Sequence, residues 1–207
     1  MQIDLDFPVR GDVLPIDHHY LLYSSLSHAV GAFHAAGSLL RFAAIGGERA
    51  EKGLIRPHPR SRLRMRLPAD QIGTILPLAG RTLRVGDHSI HLGVPTVAQL
   101  HAAPLLAAKV VTYKHALDPI RFLDVTRRRL DEMGVAGEPG IPLIETGPRA
   151  GEPRRQVLTI KGKRIIGYAL QVAGLTAEES VRLQELGLGG RGRMGCGFFV
   201  PYQPRVL

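Results

Sequence analysis

The feature that most constrains the fold of this chain is that one order of strand-like and helix-like segments occurs twice. Hydrophobic period and turn signals in the first half give a strand at about 2–8, a helix at about 17–33, and strands at about 38–45 and 61–67. A helix at about 69–78 and a strand or hairpin at about 82–94 complete it. The second half gives a strand at about 108–114, a helix at about 118–133, and strands at about 156–161 and 164–173, then a helix at about 176–186 and a strand at about 197–201. Each half reads β-α-β-β-α-β, the split or ferredoxin-like arrangement, in which both helices cover one face of an antiparallel sheet. The expected fold is therefore α+β, with two tandem ferredoxin-like domains at 1–97 and 105–207. A length of 207 residues at 44% hydrophobic suits two small cores better than one large one. The pattern breaks between Pro95 and Pro104, which marks the joint, and the Gly- and Pro-rich stretch Gly134 to Pro153 reads as a long loop.

Towards the end of the chain, Gly187-Leu188-Gly189-Gly190-Arg191-Gly192-Arg193-Met194-Gly195-Cys196-Gly197 joins accessible backbone amides to two guanidinium groups. Glycines let main-chain N–H groups approach an anion, and Arg191 and Arg193 add charge and forked hydrogen bonding. The run spells G-x-G-x-x-G, but a dinucleotide site needs a strand before the glycines and a helix after them. Here the order is reversed. Thr176 and Glu179 have capping-box spacing and open a helix, while Phe198-Phe199-Val200 has strand character. Two readings stand: contact with a phosphate backbone through Gly189, Gly190, Arg191, Gly192 and Arg193, or a helix-to-strand connection that needs glycines only for its turns.

Two further basic elements favour the first reading. Ser61-Arg62-Leu63-Arg64-Met65-Arg66-Leu67 alternates strictly, so a strand places Arg62, Arg64 and Arg66 on one face and Leu63, Met65 and Leu67 on the other. The apolar face is expected to pack and the basic face to be free, its charges about 7 Å apart. That face suits successive phosphates, or it is simply solvated. Lys161-Gly162-Lys163-Arg164 sits between two β-branched runs and reads as a basic hairpin tip, a candidate RNA contact or a solubility device. The excess of 27 Lys+Arg over 18 Asp+Glu fits a polyanionic partner. Aromatic residues make up only 5% of the chain and Trp is absent, so backbone charge should count for more than base stacking.

The single cysteine, Cys196, excludes an internal disulfide and a multi-cysteine zinc site; it is read as a buried thiol in preference to a nucleophile. The histidines show no metal-ligand spacing, and neither metal nor cofactor is expected. No apolar stretch is long enough to span a bilayer, and residues 1–6 lack the basic start and apolar core of a secretory signal, so a cytoplasmic protein is expected.

On the first helix, Leu22, Leu26, Ala29 and Phe33 share one face, with Tyr20, Tyr23, Ser27 and Gly31 opposite. His34 continues the polar side, and His28 lies off its flank. RNA carries its own nucleophile, the 2′-hydroxyl. Cleavage needs only that this group lose a proton, that the leaving 5′-oxygen gain one, and that positive charge meet the developing phosphorane. Imidazole suits both transfers near neutral pH.

With these residues the chain resembles the CRISPR repeat-processing endoribonucleases, a branch of the repeat-associated RNA-binding superfamily, and in particular its MYXAN-type subfamily. The resemblance is carried by Leu14-Pro15-Ile16-Asp17-His18-His19-Tyr20 through Phe33-His34, by Val110-Val111-Thr112-Tyr113-Lys114, and by Ile160 through Gly167 together with Glu179 through Phe199. It implies a protein that binds a precursor CRISPR RNA repeat and cuts once in each repeat without metal, leaving a 5′-hydroxyl and a 2′,3′-cyclic phosphate. Delivery of the product to an interference complex is implied as well. The histidine after the first helix, the general acid or base in such proteins, transfers to His34. His28 or Ser27 falls where some relatives carry a tyrosine, and Arg41 is the candidate charged partner. A noncatalytic RNA-binding subunit and a structural subunit of a ribonucleoprotein are the rival readings. Oligomeric state is not legible.

Overall fold

The computed structural model describes residues 1–31 and 39–202. The expected catalytic residue His34 lies outside the described residues; the helix expected at 17–33 ends at Ala29, where the β-branched Val30 turns to extended backbone (φ −137°, ψ 103°). The chain forms two compact units: Met1–Gln99 with Arg193–Gly195, and Leu100–Gly192 with the chain from Cys196 onward.

In the first unit the elements run β1 (Gln2–Gly11), β2 (Leu14–Pro15), α1 (His19–Ala29), β3 (Arg41–Phe42), β4 (Glu48–Arg49), β5 (Leu54–Arg56) and β6 (Arg62–Pro68). They continue with α2 (Ile72–Ile75), β7 (Thr82–Val85), β8 (His88–Leu92) and β9 (Thr96–Gln99). The main sheet has the order β3-β6-β1-β8-β7, with β9 pairing β1, and β2-β5-β4 make a small separate sheet. Counting only β1, β3, β6 and β8 as the four core strands, their spatial order is second, third, first, fourth, all antiparallel, as a ferredoxin-like unit requires. Alternation dictates which face is apolar. Ile3, Leu5, Phe7 and Val9 of β1 and Leu63, Met65 and Leu67 of β6 are buried in one cluster with Leu22 and Leu26 of α1. Each such side chain contributes about 1.5–3 kcal/mol of transfer free energy.

Three local expectations are refined. α1 starts at His19 with no side-chain cap, because His18 is used elsewhere. Its Nδ1 donates to the Pro15 carbonyl at 2.8 Å, and its Nε2 accepts the Ile45 N–H at 3.0 Å, which fixes the tautomer and ties the helix start to the chain after β3. The helix expected at 69–78 is a succession of short turns, Ala69–Gln71, α2 and Leu76–Leu78, since Gly73, Thr74 and Pro77 oppose a continuous helix. The break read between Pro95 and Pro104 holds β9, which pairs Ile3↔Gln99 through Asp6↔Thr96; the prolines bound that strand without interrupting it.

The second unit runs β10 (Leu105–Val111), α3 (Pro119–Glu132), β11 (Glu138–Gly140), β12 (Arg155–Ile160), β13 (Lys163–Ala173), α4 (Ala177–Leu186) and β14 (Phe199–Pro201). β13 is central and long. It pairs β10 on one side, and on the other side β12 along its first half and β11 at its end, while β14 flanks β10. With β12 taken as the second strand, the same spatial order recurs, so the tandem ferredoxin-like fold is present in both units. The stretch Gly134 to Pro153, read as a loop, contains β11, which extends the sheet edge. The core gathers Leu106, Phe122, Leu130, Leu170, Val172, Leu183 and Phe199.

Both long helices here are capped as their sequences dictate. Asp118 accepts the Arg121 N–H at 2.9 Å, with Pro119 opening α3. Thr176 and Glu179 form the reciprocal capping box of α4, and Glu179 also accepts the Ala136 N–H at 2.7 Å. These hydrogen bonds to the charged form, from Ala136 first and then Thr176, hold the Glu179 carboxyl below its ordinary value. A depressed carboxylate pKa means that the unfolded chain binds the extra proton, so this contribution is present above the ordinary glutamate pKa and is lost as pH falls through the native one. We expect Thr176→Ala to lower the unfolding free energy by about 1 kcal/mol. Glu179→Gln should flatten the acid limb of a denaturant-unfolding series across pH, and an unaltered acid limb would contradict this role.

Candidate nucleic-acid interface

In the second unit the basic hairpin is built by its turn. β12 and β13 pair up to Ile160↔Lys163, which leaves Lys161 and Gly162 as a two-residue loop, both with positive φ (49° and 75°), the geometry of a type I′ turn. Lys161, Lys163 and Arg164 are exposed and have no ion-pair partner among the described residues. The tip thus presents three uncompensated cations within four residues.

The glycine loop is seated on β10. The Gly190 N–H donates to the Thr112 carbonyl at 2.8 Å, and the Thr112 hydroxyl donates to the Gly190 carbonyl at 3.1 Å. The Arg191 Nη1 approaches that same hydroxyl at 3.4 Å. Gly189 has φ +80°, and a Cβ there would stand 2.8 Å from both the Thr112 carbonyl oxygen and a Val111 methyl. Gly197 is more restricted still, since a Cβ would fall 1.9 Å from the Leu188 carbonyl oxygen. These two positions therefore require glycine for close approach as well as for φ. Arg191 itself adopts φ +61°, a conformation unfavourable for a side-chain-bearing residue, and is exposed. Cys196 is fully buried beside Val110 and Leu158, the environment of a structural thiol.

Thr112 was not among the expected site residues. Its signal is slight: a hydroxyl at the end of the apolar run Val110-Val111, completely buried yet satisfied by the loop.

Arg193 belongs to the short segment that joins the first unit. There the Met194 carbonyl accepts from the His19 Nδ1 at 2.8 Å, so the buried His19 holds this segment against the start of α1. The Arg193 side chain is half-buried, with no ion-pair partner among the described residues.

The free basic face expected of Arg62, Arg64 and Arg66 needs correction. β1 lies antiparallel to β6 with Asp4↔Arg66 and Asp6↔Arg64 directly opposite. Arg66 is 1% exposed and donates Nε and Nη2 to Asp4 at 2.7 and 2.9 Å. Arg64 donates Nε and Nη2 to Asp6, both at 2.6 Å. These bonds to Asp6 raise the Arg64 pKa against the opposing effect of burial. The two forks are therefore structural. Asp4-Leu5-Asp6 carries the missing signal: acids at period two, matched to bases at period two. Only Arg62 is exposed, and its Nη1 donates to the Pro59 and Ser61 carbonyls at 2.8 and 2.9 Å.

Arg41 stands opposite Arg66 in the β3–β6 register and has no hydrogen-bond or ion-pair partner for its side chain among the described residues. Burial and then the neighbouring Arg66 lower its pKa. A surplus, partly desolvated guanidinium next to a neutralised ladder is poised to meet an anion. His28 is exposed in the last turn of α1. Its Nδ1 donates to the Ser24 carbonyl at 2.7 Å, and its Nε2 is left without a partner among the described residues. Among the described residues no cluster of three or more His, Cys, Asp or Glu side chains is placed to hold a metal ion, and no helix is long and apolar enough to cross a membrane.

These features define a tandem ferredoxin-like protein with a basic hairpin and a seated glycine loop. The family model described as Cas6 (Cas6 Crispr) matches residues 3–204. The chain is 37% identical over 199 residues to the CRISPR-associated endonuclease Cas6 of Myxococcus xanthus, covering 96% of this chain and 81% of that protein. Among solved structures, a CRISPR associated protein Cas6 superposes with a TM-score of 0.65 at 14% identity over 98% of this chain and 99% of the other. A Cas6-related protein from Pyrococcus furiosus gives 0.62 at 18% identity over 96% and 97%. The chain belongs to the Cas6 family.

The ion-pair ladder yields a stability test. Asp4→Ala should cost about 3–5 kcal/mol by leaving Arg66 buried and uncompensated, whereas Asp4→Leu combined with Arg66→Met should recover most of that loss. Chemical denaturation of the three proteins reads this directly. A loss in Asp4→Ala below about 1 kcal/mol, the range of an exposed pair, would contradict the buried ladder.

Proposed function

We propose that this protein is a metal-independent endoribonuclease of the cytoplasm that binds precursor CRISPR RNA and cuts within its repeats by attack of a ribose 2′-hydroxyl. The observation that carries this reading is the 37% identity, over nearly the whole chain, to a protein named as a CRISPR-associated endonuclease. The uncompensated cations of the hairpin and the glycine loop support it.

In this mechanism His34 is the principal acid/base, with His28 as the second proton carrier through its Nε2 and Arg41 as the guanidinium that meets negative charge developing on the phosphorane. The 2′-oxygen attacks the adjacent phosphorus as its proton leaves, and the P–O5′ bond breaks as the 5′-oxygen takes a proton. No water is consumed in the step, and the products are a 2′,3′-cyclic phosphate and a 5′-hydroxyl. Lys161, Lys163, Arg164, Arg191 and Arg193 hold the RNA backbone together with the amides of Gly189 and Gly192, and Arg62 extends the basic surface; the Gly190 amide, expected to join them, is committed to the Thr112 carbonyl. Arg64 and Arg66 serve the sheet instead. The cut RNA then passes to an interference complex.

The test is cleavage of the cognate repeat RNA in excess EDTA. Wild-type protein should cut. His34→Ala should lose at least about 100-fold in single-turnover rate, the usual contribution of general acid–base catalysis, while binding RNA with unchanged affinity. A substrate with 2′-deoxyribose at the scissile nucleotide should bind and remain intact. Cutting that requires added metal, or that survives the deoxy substitution, would overturn the mechanism.

A further inference from the structure

A groove of about 530 Å3 opens in the first unit between α1 and the β7–β8 hairpin. From α1 it is lined by Ser24, Ser25 and His28, which share one side of the helix, and from the edge strand β7 and the residue before it by Arg84 and Arg81, over an apolar floor that includes Leu21. Three of these residues bear basic groups, and none of the described lining residues carries a carboxylate.

The wall is fixed. The Ser25 hydroxyl lies within hydrogen-bond reach of the Leu21 carbonyl at 3.1 Å and makes a short contact with the Arg84 carbonyl, so it staples helix to strand. The basic groups are held at that wall without being neutralised. Arg84 donates Nε to the Gly86 carbonyl at 3.2 Å, which anchors its guanidinium at the hairpin turn. The exposed Arg81 side chain has no hydrogen-bond or ion-pair partner among the described residues. Because Nδ1 of His28 is committed to the Ser24 carbonyl, its Nε2 is the nitrogen available to a ligand. In the β1–β6 ladder Arg64 and Arg66 each face an aspartate, whereas here two arginines and an imidazole share one concavity with no acid among the described lining residues.

We infer that this groove is a second RNA-binding site, seating a phosphodiester of the repeat strand, with Arg81 and Arg84 supplying charge and the Ser24 hydroxyl supplying a directed hydrogen bond, while His28 Nε2 keeps the proton-transfer role given above. The inference rests on the RNA-processing reading above and adds an anchor on the first unit, apart from the hairpin and the glycine loop.

The test is the affinity of the wild-type protein for its repeat RNA across a salt series, compared with Arg81→Ala/Arg84→Ala and with a charge-matched control, Arg121→Ala/Arg128→Ala, on the exposed side of α3. Each lost phosphate contact to a single strand removes about 0.7 from the slope of log affinity against log salt. The groove variant should therefore lose about 0.7–1.4 in slope while the control keeps the wild-type value, and Arg81→Lys/Arg84→Lys should keep most of it. Equal slopes for the groove variant and the wild type would overturn the site and leave the RNA reading standing. A wild-type protein that binds no repeat RNA would defeat that reading itself. Photocrosslinking gives a second measurement that needs no variant: thiouridine-substituted repeat RNA should label the peptide carrying Arg81 to Arg84 in the wild-type protein. Labelling confined to other peptides would contradict the proposal.

Discussion

The pairing of β1 with β6 is the interaction on which the first unit depends. Both strands alternate, so a single register satisfies two demands at once: Ile3, Leu5 and Phe7 meet Leu67, Met65 and Leu63 on the helix-covered face, and Asp4 and Asp6 meet Arg66 and Arg64 on the other. A slip of one residue would put carboxylates into the core and leave the guanidinium groups unpaired. The ladder therefore enforces register as well as neutrality. It also leaves Arg41, which neighbours Arg66 across β3 and β6, as a cation of that face without a carboxylate among the described residues, as Arg62 is.

The second unit spends its irregular backbone differently. Among the described residues, its positive-φ residues other than glycine are His115, Lys161 and Arg191, and the last two display cations, Lys161 beside Gly162 and Arg191 between glycines. A lysine and an arginine in this conformation store local strain, and the surrounding hydrogen bonds hold them there, through the Ile160↔Lys163 register and through Thr112. Such fixed display lowers the ordering cost when a polyanion binds.

How legible this was depends on the range of the interactions. The β-α-β-β-α-β order, the capping box at Thr176 and Glu179 and the hairpin at Lys161 and Gly162 follow from neighbours in sequence, and all could be read directly. The neutralisation of Arg64 and Arg66 could not be read from Ser61–Leu67 alone, because the partners come from a strand more than fifty residues away. β9 is obscured in the sequence because it is short and the proline before it signals an ending. Thr112 and His19 act on the glycine loop across long sequence separations, and neither forms a local motif. The role of His34 is a matter of chemistry and family resemblance.

That chemistry makes one demand on the product. If the ribose 2′-hydroxyl is the nucleophile, the upstream fragment must first be formed with a 2′,3′-cyclic phosphate, since no water enters the step. Mass spectrometry of the upstream fragment, from repeat RNA cut in the presence of a chelator, measures this directly. The expected fragment is lighter by one water than a linear 3′-phosphate and resists phosphatase until acid opens the ring. An upstream fragment ending in a 3′-hydroxyl, with the phosphate on the downstream piece, would show that water or another external nucleophile does the cutting and would contradict the account.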